Sequence, residues 1–413
     1  MTSMQLPSKG FAYWLSLAPF LLLPYDSLTY LLGLDAASTS QTFPMTAFLS
    51  PFYLMFRVLS GLQIDFKDLR NRLPIYIYIS LCTITLFSIA LESAFSSNAE
   101  VQFRSHSALR QSISMLLGIC SYFMFVDAVS RSSIKQISNT ILWGGLPSLI
   151  LILIQFLSGS DRTQGFSSEP SHLGDFLVWA MLPACFASSL SKRIRYTFLM
   201  VCLVALISTV SSTSYFKAFG VLLVYFLVNG YIYKSVFLLP ILLLAGYYFL
   251  TLVPDNYASI MILGMYEAFQ NGSAAYTSYV DRFYGFYGPI AHLFSEPRAL
   301  LGYGFGGDSV YFYRIFDNDI AENIMLSKTD LPSISSLQGK MLMYGGVLGY
   351  ALYSFFWLYC WKHAVRSNQA NFMIPALFLG SLFSLGPFFL PYVWLWLAIA
   401  SKPKPPVPCR TLT

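Results

Sequence analysis

The stretch best equipped for chemistry is Asp161-Arg162-Thr163-Gln164-Gly165-Phe166-Ser167-Ser168-Glu169-Pro170-Ser171-His172, which sets a guanidinium, a carboxylate and an imidazole within eleven positions between two apolar runs. Gly165 and Pro170 fix its bends, so Arg162 and Glu169 can face one point. Arginine grips phosphate oxygens with a two-pronged fork, and a carboxylate or imidazole takes a proton from a hydroxyl. The plainer alternative is a solvated loop carrying a surface ion pair of little energetic weight. Next comes Ser211-Ser212-Thr213-Ser214-Tyr215-Phe216-Lys217, where Lys217 lies a few residues inside an apolar run beside several hydroxyls. A cation so placed faces a polar cavity or an anionic partner, unless its long stem snorkels to the interface.

A third group falls in the polar, aromatic segment from Pro254 to Gln338. Arg282 and Arg298 add cations, Asp281 and Glu296 add proton acceptors after Glu169 and His172, and Tyr284, Tyr287 and Tyr303 offer flat faces suited to sugar C–H groups or to a membrane interface. Residues Gly302 to Gly307 hold four glycines in six positions, which permits close backbone approach to a ligand or a helix. No strand-then-helix setting and no Lys-Ser/Thr ending accompanies them, so a nucleotide site is not indicated. Asp317-Asn318-Asp319 resembles a short acidic pair that holds a divalent metal, yet carboxylates so spaced are common on exposed loops. No metal ligand is assigned, and no cofactor is expected.

These groups must be held by helices in a membrane. Of 413 residues, 56% are hydrophobic and 11% charged, against about 25% charged in soluble domains. Apolar runs recur at 11–33, 43–62, 73–94, 108–129, 137–158, 173–190, 194–212, 215–231, 234–253, 336–361, 371–385 and 387–401, most of them near the length that crosses a bilayer core; Gly386 and Pro387 leave the last two open as two spans, a re-entrant hairpin or one kinked helix. None alternates as a barrel strand would. The expected fold is therefore all-α: a polytopic transmembrane helical bundle of about twelve spans, residues 1–413 forming a single domain, with residues 254–338 inserted as one large external loop that contains short helices. The first run exceeds a signal-peptide core and is expected to stay as a span.

Basic residues gather in alternate connections, at Lys67/Arg70/Arg72, Arg131/Lys135, Lys192/Arg193/Arg195, Lys234 and Lys362/Arg366. By the positive-inside rule these face the cytoplasm, as do both termini. The net charge of +6 is thereby read as a topology signal, with no nucleic acid partner. Six cysteines lie mostly within the runs without paired spacing, which indicates neither a disulfide framework nor a zinc site.

With these residues in view, the chain resembles the O-antigen polymerase (Wzy) family, within the broader O-antigen ligase and polymerase superfamily. Arg162 to Glu169-Pro170-Ser171 is similar to the Arg-x-x-Gly-x-x-x-Glu-Pro stretch that opens an external loop in that family. Ser211 to Lys217 falls where its members carry a Ser-rich stretch with a basic residue, usually arginine. Pro297 to Gly306 resembles their Pro-x-x-Gly-x-Gly element, and Gln338 to Gly349 resembles the start of the helix that leaves the large loop. Ligases usually present a histidine just before that helix; Ser333 to Gln338 has none, which favours polymerase over ligase.

The resemblance implies a glycosyltransferase of the bacterial inner membrane, acting in lipopolysaccharide or related polysaccharide biosynthesis without a cofactor. It would transfer a growing glycan from undecaprenyl diphosphate to another lipid-linked repeat unit at the periplasmic face. Membrane lipids, a chain-length regulator and a flippase would be its partners. The catalytic group would be Glu169, His172 and Arg162, with Lys217, Arg282, Arg298, Tyr284 and Tyr303 binding diphosphate and sugar. The alternatives are an O-antigen ligase and a non-catalytic lipid-linked oligosaccharide transporter. On the polymerase expectation, Arg162→Ala and Glu169→Gln each abolish chain lengthening in cells at normal membrane abundance of the protein; long polymer made by both variants would remove this site.

Overall fold

A peptide group in hydrocarbon has no water to bond, so a chain this apolar must pair its backbone within helices. The computed structural model describes residues 11–26, 44–61, 66, 68–94, 98–160, 163–167, 169–209, 211–230, 240, 277–295, 298–312, 333–364, 370–385 and 388–401. Among these the fold is all-helical, and the only strand-like pairing is an isolated bridge between Ser336 and Leu385. In chain order the helices are α1 (Phe11–Leu21), α2 (Met45–Leu59), α3 (Leu69–Ser93), α4 (Asn98–Arg131), α5 (Ile134–Leu157) and α6, which runs from Pro170–Phe176 through a π turn at Leu177–Met181 into Leu182–Ala187. They continue as α7 (Lys192–Ser208), α8 (Ser212–Val228), α9 (Thr277–Ser295), the short α10 (Gly307–Val310), α11 (Leu337–Ala364), α12 (Ala370–Phe383) and α13 (Pro391–Ala400).

Four stretches among the described residues are long and apolar enough to cross a membrane: Leu69–Ser93, Val101–Arg131, Ile134–Leu157 and Leu337–Lys362. Shorter apolar helices lie at Met45–Leu59, Thr213–Val228, Asn371–Phe383 and Pro391–Ala400; α2, α12 and α13 pack on the long ones, and α8 packs on α12. The expected span at 234–253 lies, apart from residue 240, outside the described residues, as does the whole 254–276 stretch that would open the large loop.

Helix starts follow local chemistry. Asp68 accepts the Arg70 N–H at 3.0 Å ahead of α3, and Ser133 with Gln136 forms a reciprocal capping box ahead of α5, each satisfying donors that the first turn leaves open. The central helix is α4, which packs on α1, α2, α3 and α13. Its 34 residues span about 51 Å, more than the roughly 30 Å hydrocarbon core. It is therefore longer than that core, and a buried arginine or aspartate lies toward each of its ends. At one end Asp127 accepts from Tyr53 at 2.7 Å and pairs with Arg57 at 2.8 Å. Arg104 occupies the other.

The segment from Arg298 to Phe312 is held by a break in α11. Gly346 leaves helical geometry, with φ 59° and ψ −161°, and strands backbone groups on either side of itself. The loop supplies their partners. Tyr303 N–H donates to Met343 O and Gly304 N–H to Tyr344 O, both at 2.8 Å, while Val347 and Leu348 N–H donate to Ala299 O and Leu300 O at 2.9 and 3.1 Å. Irregular backbone is tolerated at such a depth only where protein satisfies it in this way.

The close backbone approach expected of the glycine run is thus made to helices. Gly304 has φ +76°, and a Cβ there would stand 2.4 Å from Thr85 Cα. Next to it, Phe305 N–H donates to Thr85 Oγ1 at 2.7 Å. Gly304→Ala combines left-handed strain with a backbone clash, and is expected to destabilise the protein by about 2–4 kcal/mol. Gly220→Ala, where a Cβ meets open space, should be neutral; thermal unfolding of both variants in detergent checks the contrast.

Candidate functional site

The site begins where α6 crosses α8. Gly174 presents no side chain to Ser214, and a Cβ built on it would come within 1.8 Å of Ser214 Oγ. That contact brings the next residue of α6, Asp175, against Lys217, three residues beyond Ser214 on α8. Lys217 Nζ donates to Asp175 Oδ1 at 2.5 Å, with side-chain exposures of only 8% and 7%. Removing two charges from water costs several kcal/mol per ion unless each finds the other and further hydrogen bonds. Trp179 Nε1 supplies one, reaching the same carboxylate oxygen at 3.2 Å. Trp179 sits in the π turn, and its carbonyl accepts Trp396 Nε1 of α13 at 2.7 Å, so α13 fixes the irregular part of α6.

Further charges gather around this pair. Arg282 of α9 donates to Thr213 Oγ1, one turn before Lys217, and lies within electrostatic reach of Lys217. His172, in the first turn of α6 and ahead of its apolar stretch, places Nδ1 2.9 Å from Asp26 Oδ2. Asp26 follows the end of α1 and is itself buried. Glu169 occupies the exposed position preceding Pro170, where its Oε2 accepts Ser171 Oγ at 3.1 Å. Burial opposes protonation of His172, but the hydrogen bond and charge of Asp26, with Glu169 and Asp175 behind, outweigh it and raise the imidazole pKa above its usual value.

The loop ahead of Glu169 is stitched to its neighbours. Thr163 N–H donates to Ser208 O at 3.1 Å, and the N–H groups of Gln164 and Gly165 both donate to Gln155 Oε1 at 3.0 Å. Phe166 packs against Tyr25 with ring centroids 5.4 Å apart. The bend expected at Gly165 and Pro170 is present, Gly165 at φ +57° and Pro170 opening α6. Arg162 and Asp161 lie outside the described residues, as do Glu296, Asp317-Asn318-Asp319 and the side chain of Asp281.

Arg298 and Tyr303 join a different group at the same end of the bundle. Glu92, at the end of α3, pairs with Arg104 and Arg298, each at 3.3 Å, and accepts Tyr311 Oη at 3.2 Å. Arg104 also donates to Tyr303 O and, at 2.8 Å, to Phe305 O. Arg298 stands 5.3 Å over the Tyr303 ring. That ring is only 2% exposed and is covered by Tyr311 and His292, whose centroids lie 4.2 and 5.5 Å away. Burial first, and then Glu92, raises the Tyr311 pKa.

Asp308 completes the group, accepting Ser333 Oγ at 2.8 Å, Ile334 N–H at 3.1 Å and Tyr344 Oη at 2.7 Å. These contacts hold the loop to α3, α4 and α11. Tyr284 is half-buried on α9, edge-on to Tyr287 with centroids 6.1 Å apart. Asp26, Asp175, Glu92 and Arg104 were not assigned from sequence. The available signal was an ionisable residue inside or beside an apolar run.

The described residues define an all-helical bundle with four helices long and apolar enough to cross a membrane, and with buried and half-buried ionisable groups gathered at one end. Comparison with protein-family models and with curated proteins finds no match to this chain. Asp175→Ala leaves Lys217 buried without its counter-charge and is expected to cost about 3–5 kcal/mol, while Asp175→Leu combined with Lys217→Met should recover most of that. Unfolding midpoints of the single and double variants in detergent check the coupling.

Proposed function

We propose that this chain is a membrane glycosyltransferase of the O-antigen polymerase type, joining undecaprenyl-diphosphate-linked repeat units at the periplasmic face of a bacterial inner membrane. The proposal includes about twelve spans, both termini in the cytoplasm, and residues 254–338 as the external loop. One observation carries it: Lys217, Arg282, His172 and Glu169 gather at one end of the bundle from α8, α9 and the start of α6, with Asp175 as the buried partner of Lys217 and Asp26 as that of His172. This is the arrangement that transfer from a lipid diphosphate asks of a protein.

As the glycosidic bond to diphosphate breaks, negative charge collects on the leaving group, and cations already in place lower the barrier. Arg282 and Lys217 are suited to that role. Asp175 offsets the charge of Lys217 and leaves that of Arg282 as the surplus, and Arg162, the residue before Thr163, is assigned as a further cation. The attacking sugar hydroxyl needs a proton acceptor, and the first turn of α6 offers Glu169 and His172. The lipid diphosphate is an activated donor, so the reaction requires no nucleotide. Arg298 and Tyr303 contribute on this reading by fixing the loop beside the mouth, and Tyr284 is the tyrosine nearest in sequence to Arg282 for contact with sugar.

The test is reconstitution of the purified protein with lipid-linked repeat unit as sole substrate. A polymerase makes a ladder of products from that one substrate, and Lys217→Met should reduce ladder formation by about 10²-fold or more. A ligase would leave the repeat unit unpolymerised until a lipid acceptor is added. A transporter would leave it chemically unchanged in both conditions.

A further inference from the structure

We infer that Asp26 is a positioning residue that holds His172 as the proton acceptor for the attacking sugar hydroxyl, an inference that rests on the glycosyl-transfer reading above. Asp26 and His172 are 146 positions apart in the chain, yet Oδ2 and Nδ1 lie 2.9 Å from each other. The carboxylate is the inner partner, its side chain 9% exposed, and the imidazole is the outer one at 29%. An ionised carboxylate only accepts hydrogen bonds, so Nδ1 carries the proton and Nε2 becomes the basic nitrogen.

The backbone on both sides of the contact is tied down. Tyr25 N–H donates to Leu22 O at 3.2 Å, Met45 N–H to Tyr25 O at 2.9 Å, and His172 N–H to Glu169 O at 3.1 Å. Tyr25 Oη also donates to Gly144 O at 3.3 Å. The turn that carries Asp26 is thereby fixed to α1, α2 and α5 together. A flexible surface ion pair would have no such framework.

The acidic groups around His172 act in one direction. Asp26 approaches from the end of α1, Glu169 immediately precedes the helix of His172, and Asp175 belongs to it. Tyr392 of α13 faces Asp26 and Asp175. The cations nearby, Lys217 of α8 and Arg282 of α9, are engaged with Asp175 and Thr213. The carboxylates therefore make the imidazole more basic than burial alone would leave it. Glu169, in contrast, is exposed and bonded to Ser171.

In the step itself, the acceptor hydroxyl oxygen forms a bond to the anomeric carbon of the donor while the bond from that carbon to the diphosphate oxygen breaks. The electron pair of the broken bond leaves with the diphosphate. The hydroxyl proton passes to His172 Nε2, the imidazolium is stabilised by Asp26, and the proton then moves to the released diphosphate.

The experiment uses the full-length protein in nanodiscs, with lipid-linked repeat unit as substrate, and measures the pH profile of kcat alongside the ¹⁵N-imidazole signal of His172, one of four histidines. Asp26→Asn should lower kcat about tenfold or more, leave KM nearly unchanged, and move the acidic limb of the profile to lower pH. The His172 titration should move the same way, since the lost carboxylate favoured the protonated ring. Asp26→Glu should restore part of the rate and of the limb, and His172→Gln should remove the limb. An active enzyme whose acidic limb and His172 titration stay in place in Asp26→Asn overturns the role of Asp26 alone. A wild-type protein that makes no product from the repeat unit overturns the functional reading and the proton-accepting role with it, and the imidazole titration still reports whether Asp26 and His172 are coupled.

Discussion

An ammonium and a carboxylate taken out of water have only each other, and the pairing of Lys217 with Asp175 constrains everything near it. Neither charge is tolerable alone at such burial, so α6 and α8 must cross where the two can meet. The crossing in turn depends on an absent side chain at Gly174, because any larger residue would displace Ser214. From that contact follow the depth of Lys217 in its helix, the reach of Trp179 to the same oxygen, and the position of His172 less than a turn upstream. The cluster is thus a consequence of helix packing as much as of charge.

A second constraint acts through the backbone of α11. Its break at Gly346 leaves donors and acceptors that only another stretch of main chain can complete, and residues Ala299 to Gly304 do so. Buried side-chain charge reinforces the join, with Glu92 holding Arg104 and Arg298 together. An aromatic stack of Tyr303, Tyr311 and His292 then closes over it. The loop is seated by two independent sets of interactions, one of main chain and one of side chains.

Much of this was legible in the sequence, for reasons that are local. Apolar runs give helices because hydrocarbon leaves the backbone no alternative, and the described helices fall on those runs except for α9 and α10, which lie within residues 254–338. Gly165, Pro170 and the glycines of residues 302–307 announced bends and close approach, and both are present. Lys217, read as an intramembrane cation in need of an anionic partner, has one. The identity of that partner was not legible, since Asp175 and Lys217 are 42 positions apart and no local pattern joins them. The same applies to Asp26 with His172, and to Arg104, which meets the carbonyls of Tyr303 and Phe305 from across some two hundred residues. Arg298 was expected with the other binding residues as a cation on the external side of the chain's topology, and Tyr303 for a flat ring face suited to sugar. Their types carried no information that they would turn toward Glu92 and each other.

The π turn in α6 has an evolutionary consequence. It adds one residue to the helix between Asp175 and the segment that docks on α7, and an α-helix turns by about 100° per residue. Losing one position from Leu177–Met181 would restore regular winding and delete no charged group, yet it would rotate the outer half of α6 relative to its base and swing Asp175 and His172 away from Lys217 and Asp26. Length at this point is therefore under a constraint separate from residue identity: a substitution at Leu177 or Val178 keeps the register of the turn, whereas a deletion loses it.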